Sequence, residues 1–175
     1  LSQALAKNYG ADITQVILGN GSNELIELVV RTFVQPGDEV VSADPSFVVY
    51  KMITQAAGGT NVIVPCKEMR HDLDAMAERI TAKTKLVFIA NPNNPTGTMN
   101  TKAEMDRFMA KVPDHVLVAV DEAYFEYVTR ADYPDALDYL RDGRNILSLR
   151  TFSKIYGLAG LRIGYGITTP EIAEL

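Results

Sequence analysis

The sequence predicts an α/β fold, a three-layer α/β/α sandwich around a mostly parallel sheet of seven strands. Short runs rich in Val and Ile alternate with amphipathic segments of helical length, which is the pattern of strands joined by crossover helices. Two of these runs, at residues 85–90 and 115–120, are almost continuously apolar, as expected for parallel strands covered on both faces. Gly and Pro fall between the segments, where turns belong.

The alternation can be divided into individual elements. Seven strands are predicted, near residues 15–18, 39–43, 61–65, 85–90, 115–120, 145–149 and 162–167. Five complete helices are predicted between them, near residues 22–35, 46–58, 72–81, 102–111 and 134–141. Pro36 and Gly37 end the first of these helices, and Gly58 and Gly59 end the second. No internal repeat or linker interrupts the pattern, so one domain is the simplest interpretation.

Both ends of the sequence fall in predicted helices. The first ten residues have helical character and lack an initiator Met, and Pro170 starts a helix that has only just begun when the sequence stops. We therefore expect the sequence to be a piece of a longer protein.

Composition narrows the class of protein. The 175 residues are 47% hydrophobic and 22% charged, which is typical of one globular domain with a real core. A net charge of −5 argues against binding to nucleic acid or an anionic membrane, and no apolar run approaches the roughly 20 residues that span a bilayer. Cys66 has no partner for an internal disulfide, which fits a reducing cytoplasm. We expect His71 and His115 to be solvated surface residues rather than metal ligands.

Ligands of such sheets bind beyond the carboxyl ends of the strands, so the residues that follow each strand are the candidates for a site. After the first strand, the segment from Gly19 to Glu24 leads directly into a helix. Its glycines let backbone amides approach an anion, and the helix N-terminus favours negative charge, so the amides of Ser22 and Asn23 could hold a phosphate. The simpler alternative is that Gly21 and Ser22 only turn the chain and cap the helix.

Polar residues also follow the fourth and fifth strands. Residues 91–97, Asn-Pro-Asn-Asn-Pro-Thr-Gly, predict a rigid irregular loop whose amide side chains offer more donors and acceptors than a plain turn requires. Asp121 ends an apolar run, where a carboxylate is costly unless a cation compensates it. That cation belongs either to a ligand or, in the alternative, to a Lys or Arg elsewhere in the chain.

A lysine follows the sixth strand. Lys154 lies next to hydroxyl residues, and Arg162 comes eight residues later. A lysine at the ligand edge is placed for imine formation with an aldehyde, whereas an isolated lysine is usually a solvated surface group. The combination of an anion cradle, a terminal carboxylate, an amine and an arginine at one edge favours the functional interpretation.

A dinucleotide-binding domain is an alternative. Gly19 and Gly21 follow a strand, and Asp44 ends the next strand, as in a G-x-G-x-x-G fingerprint. Glu24, however, occupies the position of the third glycine, where its charge and bulk oppose both close packing and a pyrophosphate. This alternative also leaves the later carboxylate and lysine without a function.

Together these segments resemble the class I/II aminotransferase family of fold-type I pyridoxal-5′-phosphate (PLP) enzymes. The resemblance rests on Asn-Pro-Thr-Gly at 94–97, Asp-Glu-Ala-Tyr at 121–124, and Ser153-Lys154 followed by Arg162, in the family's order. It covers essentially the whole chain. It implies PLP as the cofactor, a small-molecule amino donor and a 2-oxo acid as substrates, and a homodimer.

The resemblance also assigns roles to residues. Lys154 is expected to carry the cofactor as an imine and to move the substrate proton, and Asp121 to pair with the pyridine nitrogen. Tyr124, the third catalytic residue, is expected to hydrogen-bond the ring oxygen together with Asn94. Phe47 matches the aromatic residue that stacks on the ring. Contacts to the cofactor phosphate are expected from Ser22, Asn23, Thr151, Ser153 and Arg162.

Within the family, residues 19–24 and 151–165 most resemble the histidinol-phosphate aminotransferases, which transfer an amino group from histidinol phosphate to 2-oxoglutarate in histidine biosynthesis. An aromatic aminotransferase and a threonine-phosphate decarboxylase stay open as alternatives. Family members also have an N-terminal segment and a C-terminal small domain that grips the substrate. We therefore expect residues 1–175 to be the PLP-binding large domain alone, which by itself binds PLP weakly and turns over poorly.

Overall fold

Seven strands form a single sheet in the computed structural model, which describes all residues from Leu1 to Leu175. Their order across the sheet is β1-β7-β6-β5-β4-β2-β3. Only β7 runs antiparallel to its neighbours, so the predicted mostly parallel sheet is confirmed. The strands are β1 (Val16–Asn20), β2 (Glu39–Asp44), β3 (Thr60–Pro65), β4 (Thr84–Ala90), β5 (Leu117–Asp121), β6 (Ile146–Thr151) and β7 (Ile163–Ile167).

Seven α-helices connect or flank these strands. They are α1 (Ser2–Tyr9), α2 (Ser22–Phe33), α3 (Val49–Ala56), α4 (Leu73–Glu78), α5 (Lys102–Met109), α6 (Ala136–Arg141) and α7 (Pro170–Ala173). All the predicted helices are present, several of them shorter than predicted. Side chains cap four of the starts, because Asp72, Thr101, Asp135 and Thr169 accept hydrogen bonds from first-turn amides. Three short 3-10 helices, Ile13–Gln15, Phe125–Tyr127 and Ala159–Leu161, were not predicted.

The core has two layers because the central strands are buried on both faces. Along β5, Leu117 and Ala119 pack toward α2 and α3, whereas Val118 and Val120 pack toward α4, α5 and α6. The same alternation holds for the neighbouring strands β4 and β6, and it yields the predicted three-layer sandwich. None of the helices is both long enough and apolar enough to cross a bilayer.

The topology brings residues from distant parts of the chain to one edge of the sheet. The parallel strands β1, β2, β4, β5 and β6 all end at this edge. Because β7 runs in the opposite direction, its first residue lies there, and Arg162 directly precedes it. The one antiparallel strand thus returns an arginine to the edge at which the other strands finish.

A close backbone contact locks β7 beneath the start of α2. A Cβ atom placed on Gly164 would lie 2.2 Å from the backbone nitrogen of Ser22 and 2.3 Å from the carbonyl carbon of Gly21. Any side chain at this position would therefore displace the turn between β1 and α2.

We expect Gly164→Ala to lower the free energy of unfolding by about 1–3 kcal/mol, because the added methyl group meets backbone that cannot rotate away. Urea denaturation measures this loss. Gly160→Ala is the matched control, since a Cβ there meets nothing within 4 Å. Equal stability of the two variants would contradict the proposed contact.

Candidate active site

A cleft of about 150 Å³ opens at the edge where the parallel strands end. Its walls come from the starts of α2 and β7 and from the loops that follow β2, β4, β5 and β6. All ten residues predicted for the site line this cleft: Ser22, Asn23, Phe47, Asn94, Asp121, Tyr124, Thr151, Ser153, Lys154 and Arg162. The structure therefore brings the whole predicted set together, although it comes from six separate segments of the sequence.

One side of the cleft is an anion cradle at the N-terminus of α2. Gly21 occupies the N-cap with φ 76° and provides no capping side chain, so the first amides of the helix are left for a ligand. A Cβ on Gly21 would lie 2.5 Å from Nη2 of Arg162, which shows how closely the guanidinium approaches this turn. Helix dipole and guanidinium together favour a phosphate.

Two contacts hold this cradle in shape. Arg162 has a left-handed backbone, φ 53°, and its guanidinium donates hydrogen bonds to the carbonyls of Ala159 (3.1 Å) and Asn20 (3.3 Å). The carboxylate of Glu24 accepts a hydrogen bond from the amide of Asn20 at 2.7 Å. Glu24 thus anchors the loop from within the chain, in the position where a dinucleotide fingerprint needs a glycine.

Asp121 forms the floor of the cleft at the end of β5. It is 7% exposed and accepts hydrogen bonds from the Tyr50 hydroxyl (2.6 Å) and the Ala123 amide (3.1 Å). Burial raises the pKa of Asp121, whereas these two hydrogen bonds and the charge of Lys154 act to lower it. Neither a lysine nor an arginine hydrogen-bonds to this carboxylate, so a cationic group of a ligand has room to do so.

The lysine and the hydroxyl residues complete the cleft opposite the cradle. The Lys154 ammonium lies 5.0 Å from the centre of the Tyr124 ring and forms no ion pair. Thr151 is buried, and its hydroxyl accepts a hydrogen bond from the Ser153 amide at 3.1 Å. The Ser153 hydroxyl is itself buried without a partner in the chain, so it is free to hydrogen-bond a ligand in the cleft.

A buried ion pair lies next to Asp121, but it joins Arg150 to Glu122 and does not include Asp121. Arg150 is 1% exposed, contacts the Glu122 carboxylate at 3.0 Å and Asp135 at 2.9 Å, and stacks 3.7 Å from the centre of the Phe125 ring. Side chains alternate along a strand, so Asp121 and Glu122 face opposite layers. No Lys or Arg of the chain forms an ion pair with Asp121, and only the nearby charge of Lys154 acts on it, so the alternative in which such a pair neutralises Asp121 is not borne out.

The dinucleotide alternative is also wrong. In dinucleotide-binding folds the first two strands of the fingerprint are neighbours. Here β1 and β2 are separated by β7, β6, β5 and β4. Asp44, at the end of β2, pairs with Lys51 at 2.8 Å and does not line the cleft.

Two residues near the cleft differ from expectation. Tyr50, which binds Asp121, was not predicted as a site residue; the only signal for it is its spacing, one helical turn after Phe47. His71 was expected at the surface but is 3% exposed, and its Nε2 atom lies 3.1 Å from the side-chain amide oxygen, Oδ1, of Asn93. Residues from distant segments, among them Ser46 and Asn93, lie against the His71 ring, and local sequence cannot reveal such contacts.

These groups fit PLP. The uncapped amides of α2 and Arg162 match its phosphate, and the floor carboxylate Asp121 matches a protonated pyridine nitrogen. The Lys154 amine matches its aldehyde, and Phe47 provides an aromatic wall. The unpaired Ser153 hydroxyl agrees with an additional acceptor in the same space.

Comparison with known proteins identifies the class. The family model for aminotransferase class I and II matches residues 1–175. The chain therefore belongs to this family of PLP-dependent aminotransferases.

Individual members of the family differ in how similar they are to this chain, and the relatives described next are histidinol-phosphate aminotransferases. The chain is 52% identical over 173 residues to a histidinol-phosphate aminotransferase of Moorella thermoacetica and 53% identical over 172 residues to one of Hydrogenovibrio crunogenus. These matches cover 98% of this chain but 45% and 46% of the two relatives, so the chain spans about half of their length. A solved histidinol-phosphate aminotransferase from Sinorhizobium meliloti, in complex with PLP, matches with a TM-score of 0.92 at 34% identity, over 99% of this chain and 47% of that one.

The burial of His71 predicts a pH dependence of stability. Burial lowers the pKa of His71 from 6.5 to about 4. Between these values the unfolded chain binds a proton that the native chain does not, so the free energy of unfolding falls as the pH falls, by about 3 kcal/mol from this residue.

Urea denaturation between pH 7 and 4 measures this effect, and we expect a shallower pH dependence in His71→Gln than in the unsubstituted chain. His115→Gln is the control because His115 is exposed. Identical pH profiles for His71→Gln and the unsubstituted chain would show that His71 does not carry the dependence.

Proposed function

We propose that residues 1–175 are the PLP-binding large domain of a transferase that moves an amino group from histidinol phosphate to 2-oxoglutarate, a step of histidine biosynthesis. The observation that carries this proposal is the convergence of Asp121, Lys154 and the α2 anion cradle on one cleft. The similarity to histidinol-phosphate aminotransferases, above 50% over almost the whole chain, supports the choice of amino donor.

The roles of the residues follow from their chemistry. When bound, PLP supplies an electron sink for the charge that develops at the substrate Cα. Asp121 holds a proton on the pyridine nitrogen, because a buried carboxylate is stabilised by a cationic partner. Lys154 would hold the aldehyde carbon through Nζ, with loss of water. Once the donor's amine takes its place, the freed Nζ would accept the proton from the substrate Cα and deliver it to that former aldehyde carbon.

The remaining residues bind and orient. Asn94 and Tyr124 hydrogen-bond the ring oxygen, and Phe47 covers one face of the ring. The phosphate is held by a group of donors comprising the amides of Ser22 and Asn23 and the side chains of Thr151, Ser153 and Arg162. The rest of the protein, a homodimer, supplies the grip on the amino donor and the 2-oxo acid.

We expect the chain mixed with PLP to develop a visible absorbance band from an imine, and borohydride to reduce that imine to a permanent covalent bond. We expect Lys154→Ala to lose both the band and the permanent bond, because Nζ forms the imine. Lys7→Ala is the matched control, since Lys7 is an exposed lysine on α1, outside the cleft. A band that persists in Lys154→Ala would assign the bond to another lysine and overturn the proposed site.

Pyridoxal, which lacks the phosphate, tests the cradle separately. We expect it to bind roughly tenfold more weakly than PLP or worse, because several charge-assisted hydrogen bonds are lost. Equal dissociation constants, measured by titration of the same band, would contradict a phosphate site at α2.

The amino donor is tested on the whole protein to which these residues are proposed to belong. With 2-oxoglutarate as acceptor, we expect kcat/KM for histidinol phosphate to exceed that for histidinol and for aromatic amino acids by about 100-fold or more, because a site built for a phosphate leaves polar groups unpaired without it. Preference for an aromatic amino acid, or release of CO2 from threonine phosphate, would replace the proposed donor with one of the family's other substrates.

A further inference from the structure

Tyr50 makes an unusual contact beneath the cleft. It lies on α3, is 1% exposed, and its hydroxyl donates a hydrogen bond of 2.6 Å to Oδ2 of Asp121. It is the only side chain that hydrogen-bonds to this carboxylate, because the second donor is the backbone amide of Ala123 on Oδ1.

The ring of Tyr50 is held on two sides by other aromatic rings. It stacks on Phe88 of β4 with ring centres 4.5 Å apart and planes within 6°. It also meets Phe47 edge-to-face, with centres 5.6 Å apart and planes at 82°. The hydroxyl therefore has little freedom to leave Asp121, and the same ring contacts the residue proposed to cover the cofactor.

The hydrogen bond acts on the charge of Asp121. Burial favours the neutral carboxylic acid, whereas a hydroxyl that donates to the carboxylate favours the ionised form. Burial and the negative charge of Asp121 raise the pKa of Tyr50 well above its ordinary value, so its hydroxyl keeps its proton and remains a donor.

We propose that Tyr50 is a positioning residue that keeps Asp121 ionised and aims its remaining lone pairs into the cleft, while its ring places Phe47. This role rests on the proposed function in one respect, which is that the group Asp121 binds is the pyridine nitrogen of the cofactor. The Tyr50–Asp121 contact itself is a property of the cofactor-free chain.

The decisive variant is Tyr50→Phe, which removes one oxygen and keeps both aromatic contacts. Tyr139→Phe is its matched control: Tyr139 is also buried and also donates to an aspartate, Asp106, at 2.7 Å, but on the opposite layer of the sandwich. In the cofactor-free chain carrying ¹³C-labelled aspartate, carboxyl NMR titration reports the pKa of Asp121. We expect this pKa to rise in Tyr50→Phe and to stay unchanged in Tyr139→Phe; an unchanged pKa in Tyr50→Phe overturns the proposal.

If Tyr50→Phe does not fold, a second measurement tests the Tyr50–Asp121 contact. With ¹³Cζ-labelled tyrosine at neutral pH, we expect Asp121→Asn to move the Tyr50 resonance, because the charged acceptor is lost, and Asp106→Asn to move that of Tyr139 instead. A Tyr50 resonance that is insensitive to Asp121→Asn overturns the contact.

The cofactor provides a separate readout. We expect PLP to bind about tenfold more weakly to Tyr50→Phe than to the unsubstituted chain or Tyr139→Phe, because a less ionised Asp121 holds the pyridine nitrogen less tightly. If the unsubstituted chain binds no PLP, the proposed function fails while the Asp121 titration still decides the role of Tyr50. If PLP binds all three chains equally, the positioning role fails while the proposed function stands.

Discussion

Two consecutive carboxylates at the end of the central strand set the constraint around which this fold is arranged. Asp121 and Glu122 are both buried, on opposite faces of the sheet. A buried carboxylate is unfavourable unless it is compensated. The chain pairs Glu122 with the cation Arg150 and the Ser148 hydroxyl, but gives Asp121 only two neutral donors. The unmatched charge is the one that faces the cleft.

The compensated pair also has a mechanical consequence. Arg150 lies near the end of β6 and Glu122 directly follows β5, so their contact ties together the two strands that carry the floor carboxylate and lead to Lys154. Asp135, at the start of α6, extends this tie to the helical layer. Floor and lysine are thereby held at a set separation by residues that never enter the cleft.

A second set of contacts positions the wall of the cleft. The Asn93 side chain donates to the Pro45 carbonyl at 2.9 Å and accepts from the Ser46 hydroxyl at 3.0 Å, which joins the loop after β4 to the loop after β2. The buried His71 ring also contacts the Asn93 side chain, with Nε2 3.1 Å from Oδ1. Asn94 and Phe47, each one residue from these contacts, are thus placed relative to each other by their neighbours.

The sequence by itself determined the secondary structure and the sheet class, because these depend on local patterns of apolar runs and turn residues. It also indicated the ten cleft residues, some as polar residues placed just after strands and the others through the motifs of the family that the chain resembles. Only the tertiary structure decided which charge is paired. Asp121 and Glu122 are adjacent in sequence, and the alternation of a strand sends them to different layers, where Arg150 reaches one and Tyr50 the other. The same holds for His71, whose burial depends on segments distant in the chain, and for the direction of β7, whose antiparallel course brings the predicted residue Arg162 to the cleft. Long-range packing has no local signature, and this is the physical reason that these features could not be predicted.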